Sequence, residues 1–176
     1  LLQDGFLFLF PCWMMDMDKI PLTVAGFAAL ESELAQLKSI ERPAVIAAIA
    51  EARAHGDLSE NAEYAAARER QSFIEGRIEE LEAVISRADV IDVNALSGNV
   101  VKFGATVTVA DDETGEEQVY QIVGEYESDI DRNLISIGAP LARALIGKTV
   151  GDTANVNTPK GRKTYEIVKV KFGAGK

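Results

Sequence analysis

The 176-residue chain has one cysteine, Cys12, and one histidine, His55. A single cysteine excludes an internal disulfide and a Cys-rich zinc site, and a single histidine argues against a His-ligated zinc site. This thiol content fits a reducing cytoplasm. Positive charge is also scarce: 18 Lys and Arg face 28 Asp and Glu, a net charge of −10. Independent binding of duplex DNA is therefore not expected, because nonspecific affinity comes from Lys and Arg neutralising phosphates. Any nucleic acid the chain meets is expected to be held by a partner. Long apolar runs are missing too. Phe6 to Met15 is too short to span a bilayer, is broken by Pro11 and lacks the basic residues of a signal peptide, so no membrane partner is expected. Residues 1–16 differ from everything after them. With a plausible start at Met17-Asp18-Lys19-Ile20-Pro21, they are expected to be translated upstream sequence without functional weight. No internal repeat, low-complexity tract or Gly-rich phosphate loop is visible.

What is present is an apolar fraction of 47% and a charged fraction of 26%, enough for one or two small folded domains. From Leu22-Thr23, with Thr23 as N-cap, Leu30, Leu34, Leu37, Glu41, Ala44, Ala48, Ala52 and His55 recur at spacings of four and three. A second helix is predicted from Ser59 to Ala88, with its seam at Ala67, Gln71, Ile74, Ile78, Leu81, Ile85 and Ala88; Gly76 is a local weakness within it. Between the two stretches lies Gly56-Asp57-Leu58-Ser59-Glu60-Asn61, where the chain must turn back. Residues 17–89 thus read as an antiparallel helical coiled-coil hairpin, each arm about 30 residues and roughly 45 Å long. Pro43 falls inside the first arm and removes a backbone hydrogen bond, which predicts a bend or short break near Ile40 to Pro43.

From residue 90 the period changes towards two. Val90 to Val93 reads as a strand or linker, and strands are predicted at Val101 to Ala110, Gln118 to Glu125, Leu134 to Ile137, Asp152 to Asn157 and Lys163 to Phe172, with a hairpin turn at Asp111 to Gly115. Pro140 to Gly147 has Pro near its start and Gly past its end, the asymmetry of a short helix. Residues 90–176 are expected to form an antiparallel sheet with one covering helix, and the whole chain is α+β.

The acids at the hairpin tip have two readings that stay open on spacing alone. Asp57 and Glu60 reproduce the D-x-x-E pattern of a capping box, in which each side chain binds a backbone N–H at a helix start. Alternatively, two carboxylates three residues apart present hard oxygen ligands to Mg²⁺, with the remaining ligands supplied by water and a partner. Both readings hold if Asp57 caps in the free protein and binds metal when docked.

The stretch Ile46-Ala47-Ala48-Ile49-Ala50-Glu51-Ala52-Arg53-Ala54-His55-Gly56-Asp57-Leu58-Ser59-Glu60-Asn61-Ala62-Glu63-Tyr64 closely resembles the hairpin tip of the bacterial Gre transcript-cleavage factors, in the GreA branch. The resemblance continues through Phe103 to Val109, Tyr120 to Gly124 and Ala142 to Lys148, and covers about residues 17 to 173. It implies an FKBP-like C-terminal domain and a bacterial RNA polymerase as partner. It further implies that the hairpin enters the polymerase secondary channel and that Asp57 and Glu60 help hold a catalytic Mg²⁺. The backtracked RNA 3′ end is then cut by the polymerase's own active site, so the chain is not itself an enzyme. Such a role suits two-metal hydrolysis, where a second ion must activate water and stabilise charge on the reacting oxygens.

Arg68, with Arg53 after it, is the preferred candidate for contact with RNA phosphates, set against an ordinary solvated helix face; Arg70 is a weaker candidate. Tyr64 either stacks on a base or packs against the facing helix, with packing favoured. His55 suits the C-terminal end of the first arm, and Asn61 and Glu63 either position the tip or are simply solvated. In the C-terminal domain, Gly138-Ala139-Pro140 is the expected docking contact, by resemblance. Two other functions compete. A prolyl isomerase would need an aromatic pocket, whereas Phe103, Tyr120, Tyr126, Tyr165 and Phe172 occupy positions that core packing explains. A non-cleaving inhibitor of the same channel would share the hairpin, but the acids Asp57 and Glu60 favour cleavage.

Overall fold

A computed structural model of the chain describes residues 19–54, 62–158 and 161–173. Strand β1, Ile20–Thr23, leads directly into helix α1, Val24–Gln36, where the Thr23 hydroxyl accepts from the Gly26 N–H at 3.0 Å as the expected N-cap. A π-helical turn, Leu37–Glu41, joins α1 to α2, Arg42–Ala54; α3, Ala62–Ser86, returns alongside both. Strand β2, Ala88–Ile91, then pairs in parallel with β1, from Ile20 opposite Ala88 to Thr23 opposite Ile91. This short pairing closes the base of the hairpin. Leu22, Leu30, Leu81 and Val84 are buried there, beneath Phe27, Leu34 and Ile85.

The disturbance predicted around Pro43 takes the form of that π turn. The Arg42 N–H reaches back five residues to the Leu37 carbonyl, and Pro43, which has no N–H to offer, follows immediately. A π turn inserts one residue into the helical register, so the seam positions next after it move by one. The expected seam at Glu41, Ala44 and Ala48 is accordingly replaced by Val45 and Ile49, and Ala44 and Ala48 face outward, while Ala52 remains buried. The returning arm keeps its predicted seam, with Ile74, Ile78 and Leu81 buried.

The second unit is a five-stranded sheet in the order β5-β4-β3-β7-β6. Its strands are β3, Thr106–Asp111; β4, Glu117–Val123; β5, Leu134–Ser136; β6, Thr153–Thr158; and β7, Gly161–Lys171. Inward residues alternate along β3, with Val107 and Val109 fully buried. The helix α4, Pro140–Leu145, packs Ala142 and Leu145 into the same core, with Pro140 in its first turn and Gly147 beyond it at φ +82°. Two expectations are corrected. The sheet is mixed, because β4 and β5 run parallel, the chain returning to the same end through residues 124–133. The first strand begins at Thr106 rather than Val101, because Gly104 at φ +80° turns the chain; Val101 instead donates to the Lys148 carbonyl at 2.8 Å.

Candidate functional site

The tip acids Asp57 and Glu60 lie outside the described residues, as do His55 and Asn61. They fall in the connection between the end of α2 at Ala54 and the start of α3 at Ala62, which are the far ends of the two arms. Val45, Ile49, Ile74 and Ile78 form the seam below the tip, with Tyr64 and Ala67 packed against their cluster. Tyr64 therefore takes its packing role, and the Arg53 guanidinium carbon sits 5.8 Å from its ring centroid, within cation–π range.

Arg53 and Arg68 come from facing helices into one groove of about 240 Å³, which they share with Ile46, Ile49, Ala50 and Gln71. Arg68 donates to the Gln71 side-chain oxygen at 2.7 Å. Neither arginine has a carboxylate partner among the described residues. Arg70 is different: it points to the opposite groove, beside Ala44 and Ala67, and pairs with Glu41 at 2.5 Å. Glu63 is exposed in the first turn of α3, where the helix dipole favours an acid. Among the described residues no three His, Cys, Asp or Glu side chains come together in a way that could hold a metal ion.

Pro140 is exposed at the start of α4, on the loop that follows β5. That loop is fixed by Ser136, whose carbonyl accepts from the Ala139 N–H at 2.9 Å and whose hydroxyl accepts from the Gly138 N–H at 3.1 Å. Tyr120, Tyr165 and Phe172 pack against the sheet core as expected. Tyr126 does not. It lies in a 3-10 turn, Glu125–Glu127, and lines a cleft between the sheet unit and α1. The sequence reading also missed Glu127 in that turn, whose carboxylate binds Thr23. A sequence separation of 104 residues leaves no periodic signal for that contact.

Comparison with known proteins decides the family. A family model described as transcription elongation factor, N-terminal, matches residues 20–90, and one described as transcription elongation factor, GreA/GreB, C-terminal, matches residues 96–172. The chain belongs to the GreA/GreB family of transcription elongation factors. It is 67% identical over 156 residues to transcription elongation factor GreA of Cereibacter sphaeroides, covering 89% of this chain and 99% of the relative. Against GreA of Ruegeria pomeroyi the identity is 64% over the same share of each chain. Among solved structures, GreA factor homolog 1 of Thermus thermophilus is 29% identical and covers 87% of this chain and 99% of its own, with a TM-score of 0.41. For a GreA/GreB elongation factor, RNA polymerase is the implied partner. No described helix is long and apolar enough to cross a membrane.

Proposed function

We propose that this factor binds bacterial RNA polymerase through its sheet unit, inserts the hairpin into the secondary channel and stimulates the polymerase's own cleavage of backtracked RNA. The observation that carries the reading is the position of Asp57 and Glu60 between the far ends of α2 and α3, in a chain whose relatives are elongation factors. A narrow two-helix rod about 45 Å long is a means of reaching a buried site. Its tip acids are hard oxygen donors, a donor set that suits Mg²⁺ held jointly with carboxylates of the polymerase. Bound there, the ion supplies an activated water and stabilises charge on the scissile phosphate. Two carboxylates leave most of an octahedral shell to water, so Mg²⁺ binds the free protein weakly. Arg68 and Arg53, in one groove beside the tip, supply cations for the phosphates of displaced RNA. The Gly138-Ala139-Pro140 loop supplies a rigid contact on the polymerase rim. The chain contributes ligands and position, and the bond is broken in the polymerase.

The test uses stalled bacterial elongation complexes with labelled RNA, with and without Mg²⁺. Asp57→Ala and Glu60→Ala each should lower stimulated cleavage by about 100-fold, since losing even an outer partner of a metal ligand costs up to about that much. Polymerase binding should be largely retained. Parental cleavage by either variant at limiting Mg²⁺ removes that residue's metal role, and a loss of activity matched by unfolding supports capping instead.

A further inference from the structure

The start of α1 is a capping box with its acid missing from the local sequence. Thr23 is the N-cap, and the third helical position, where Glu or Gln usually returns to bind the N-cap N–H, is Gly26. Glu127 of the sheet unit takes that place. Its Oε2 accepts from the Thr23 N–H at 3.0 Å and from the Gly124 N–H at 3.0 Å, while its Oε1 accepts from the Thr23 hydroxyl. The hydroxyl in turn accepts from the Gly26 N–H at 3.0 Å. One carboxylate therefore joins the base of the hairpin to the turn after β4.

The two glycines are what allow this approach. A Cβ on Gly26 would lie 1.8 Å from Glu127 Oε1 and 2.4 Å from its Cγ, so the whole side chain would have to leave. A Cβ on Gly124 would lie 2.4 Å from the Pro21 carbonyl oxygen, so β1 and the end of β4 touch backbone to backbone there. Farther along α1 the two units separate. Ala29 and Leu30 face Gln121, Tyr126 and Arg132 across a cleft of about 540 Å³. At the base of the hairpin the two units are thus joined by the Glu127 hydrogen bonds and by the close approach of Pro21 to Gly124.

We propose that Glu127 is a positioning residue for transcript cleavage: by completing the α1 capping box from the other unit, it fixes the angle at which the hairpin leaves the sheet unit. This rests on the function proposed above. The lever makes the angle matter, since a rotation of about 10° at the base moves the end of a 45 Å rod by about 8 Å. Reacting groups tolerate far less than that; a misplacement of about 1 Å can cost about 100-fold.

The experiment uses the full chain carrying Cys12→Ser, with spin labels at Glu69→Cys on α3 and Glu117→Cys on β4, both exposed. The distance distribution is measured in the free protein, and cleavage is then measured at saturating factor. The parent and Thr23→Ser should give one narrow distance. Glu127→Ala should broaden it at least about twofold and lower maximal cleavage roughly 10-fold or more, with a smaller change in the concentration needed for half effect. Gly26→Ala keeps every latch side chain and raises helix propensity, so it should broaden the distribution without unfolding the hairpin. A distribution in Glu127→Ala as narrow as the parent's overturns the latch, whatever the cleavage rate. Broadening in Glu127→Ala, in a parent that stimulates no cleavage, supports the latch and removes the proposed function instead.

Discussion

Towards its tip the hairpin has a seam one side chain wide: Val45, Ile49, Ile74 and Ile78 keep 3%, 7%, 6% and 3% of their surface exposed. In the sheet unit Val101, Val107, Val109, Ile122, Leu145 and Ile167 keep none. The difference follows from geometry. Two helices offer each other a single face, whereas a curled sheet under a helix encloses its inner side chains from all directions. Ion pairs on the flanks supplement the narrow seam: Glu33 with Arg77, Lys38 with Glu82, Glu41 with Arg70 and Arg42 with Glu75. The hairpin is built for reach and register, and the sheet unit for firmness. On the function proposed above, the sheet unit is a mount that holds against a large partner and the hairpin a probe that enters a narrow site, and the two have different needs.

Equivalent truncations should break this comparison if it is wrong. Leu145→Ala empties a site closed on all sides and should cost about 4 kcal/mol, while Ile49→Ala, at a seam that can partly collapse and rehydrate, should cost about 2 kcal/mol. Hydrogen exchange read by peptide separates the regions. Leu145→Ala should speed exchange in β3, β4 and β7, and Ile49→Ala in α2 and α3. Uniform acceleration across both units in either variant would mean that they unfold as one. A smaller effect sharpens the functional side of the comparison. Pro140→Ala should weaken polymerase binding by about 1 kcal/mol, roughly 5-fold, and leave cleavage at saturating factor unchanged. A fall in the saturated rate would place Pro140 in the probe's task rather than the mount's.

Much of this division was legible in the sequence, because each unit follows one period. The 3.6 repeat marked both arms, and the Pro and Gly brackets marked α4. The failures are equally physical. Burial at period two does not distinguish parallel from antiparallel neighbours, so the β4–β5 edge could not be read. The seam of α2 was misplaced because the π turn changes register without changing composition, and only Pro43 hinted at it. Ile20 to Thr23 is too short to announce a strand before its pairing with β2 is known. For the site, the acids and arginines stand in a recognisable run, but the groove shared by Arg53 and Arg68 needs both helices in place. Glu127 was invisible for the same reason, although a Thr23 N-cap with Gly26 at the third position was a capping box left open.

The ion-pair flank should carry a smaller share of stability than the seam. Arg77 is the strongest case, donating from Nε to Glu33 Oε1 at 2.7 Å and from Nη2 to Oε2 at 3.0 Å, with Nη1 to Glu80 at 2.9 Å. These bonds raise its pKa, led by those it donates to Glu33. The side chains of Arg77 and Glu33 are nevertheless 37% and 41% exposed, so solvent screening reduces the gain. Arg77→Met should cost the hairpin about 0.5 to 1 kcal/mol at low salt and nearly nothing at about 1 M salt, where the Debye length is about 3 Å. A cost that persists in high salt would assign the effect to packing of the arginine stem. Either result tests whether charge or contact sets the register of the probe.

In the mount the smallest expected effect is a local pH dependence at the β3–β4 turn. Asp111 Oδ2 accepts from Lys163 Nζ at 2.6 Å, and its Oδ1 accepts from the N–H groups of Glu113 at 3.0 Å and Thr114 at 3.4 Å. The Lys163 bond first, and the Glu113 N–H after it, hold the carboxyl below its ordinary value. Folding therefore favours the ionised form. That contribution is fully present above the unfolded carboxylate value of about 3.9 and is lost as pH falls through the lower folded value. Lys163, raised mainly by the same hydrogen bond, contributes below its unfolded value of about 10.4 and loses that contribution only at higher pH. The pair is intact across the neutral range. On acidification, amide exchange at Gly115, whose N–H donates to the Asp111 carbonyl at 2.7 Å, should lose protection below about pH 4 ahead of the β3 and β7 amides. Asp111→Asn keeps an acceptor for the turn but removes the charge, and should flatten that acid step while the neutral-pH fold is retained. If parent and variant lose protection at Gly115 over the same acid range, the turn is held by its backbone alone, and the firmness of the mount owes nothing to this pair.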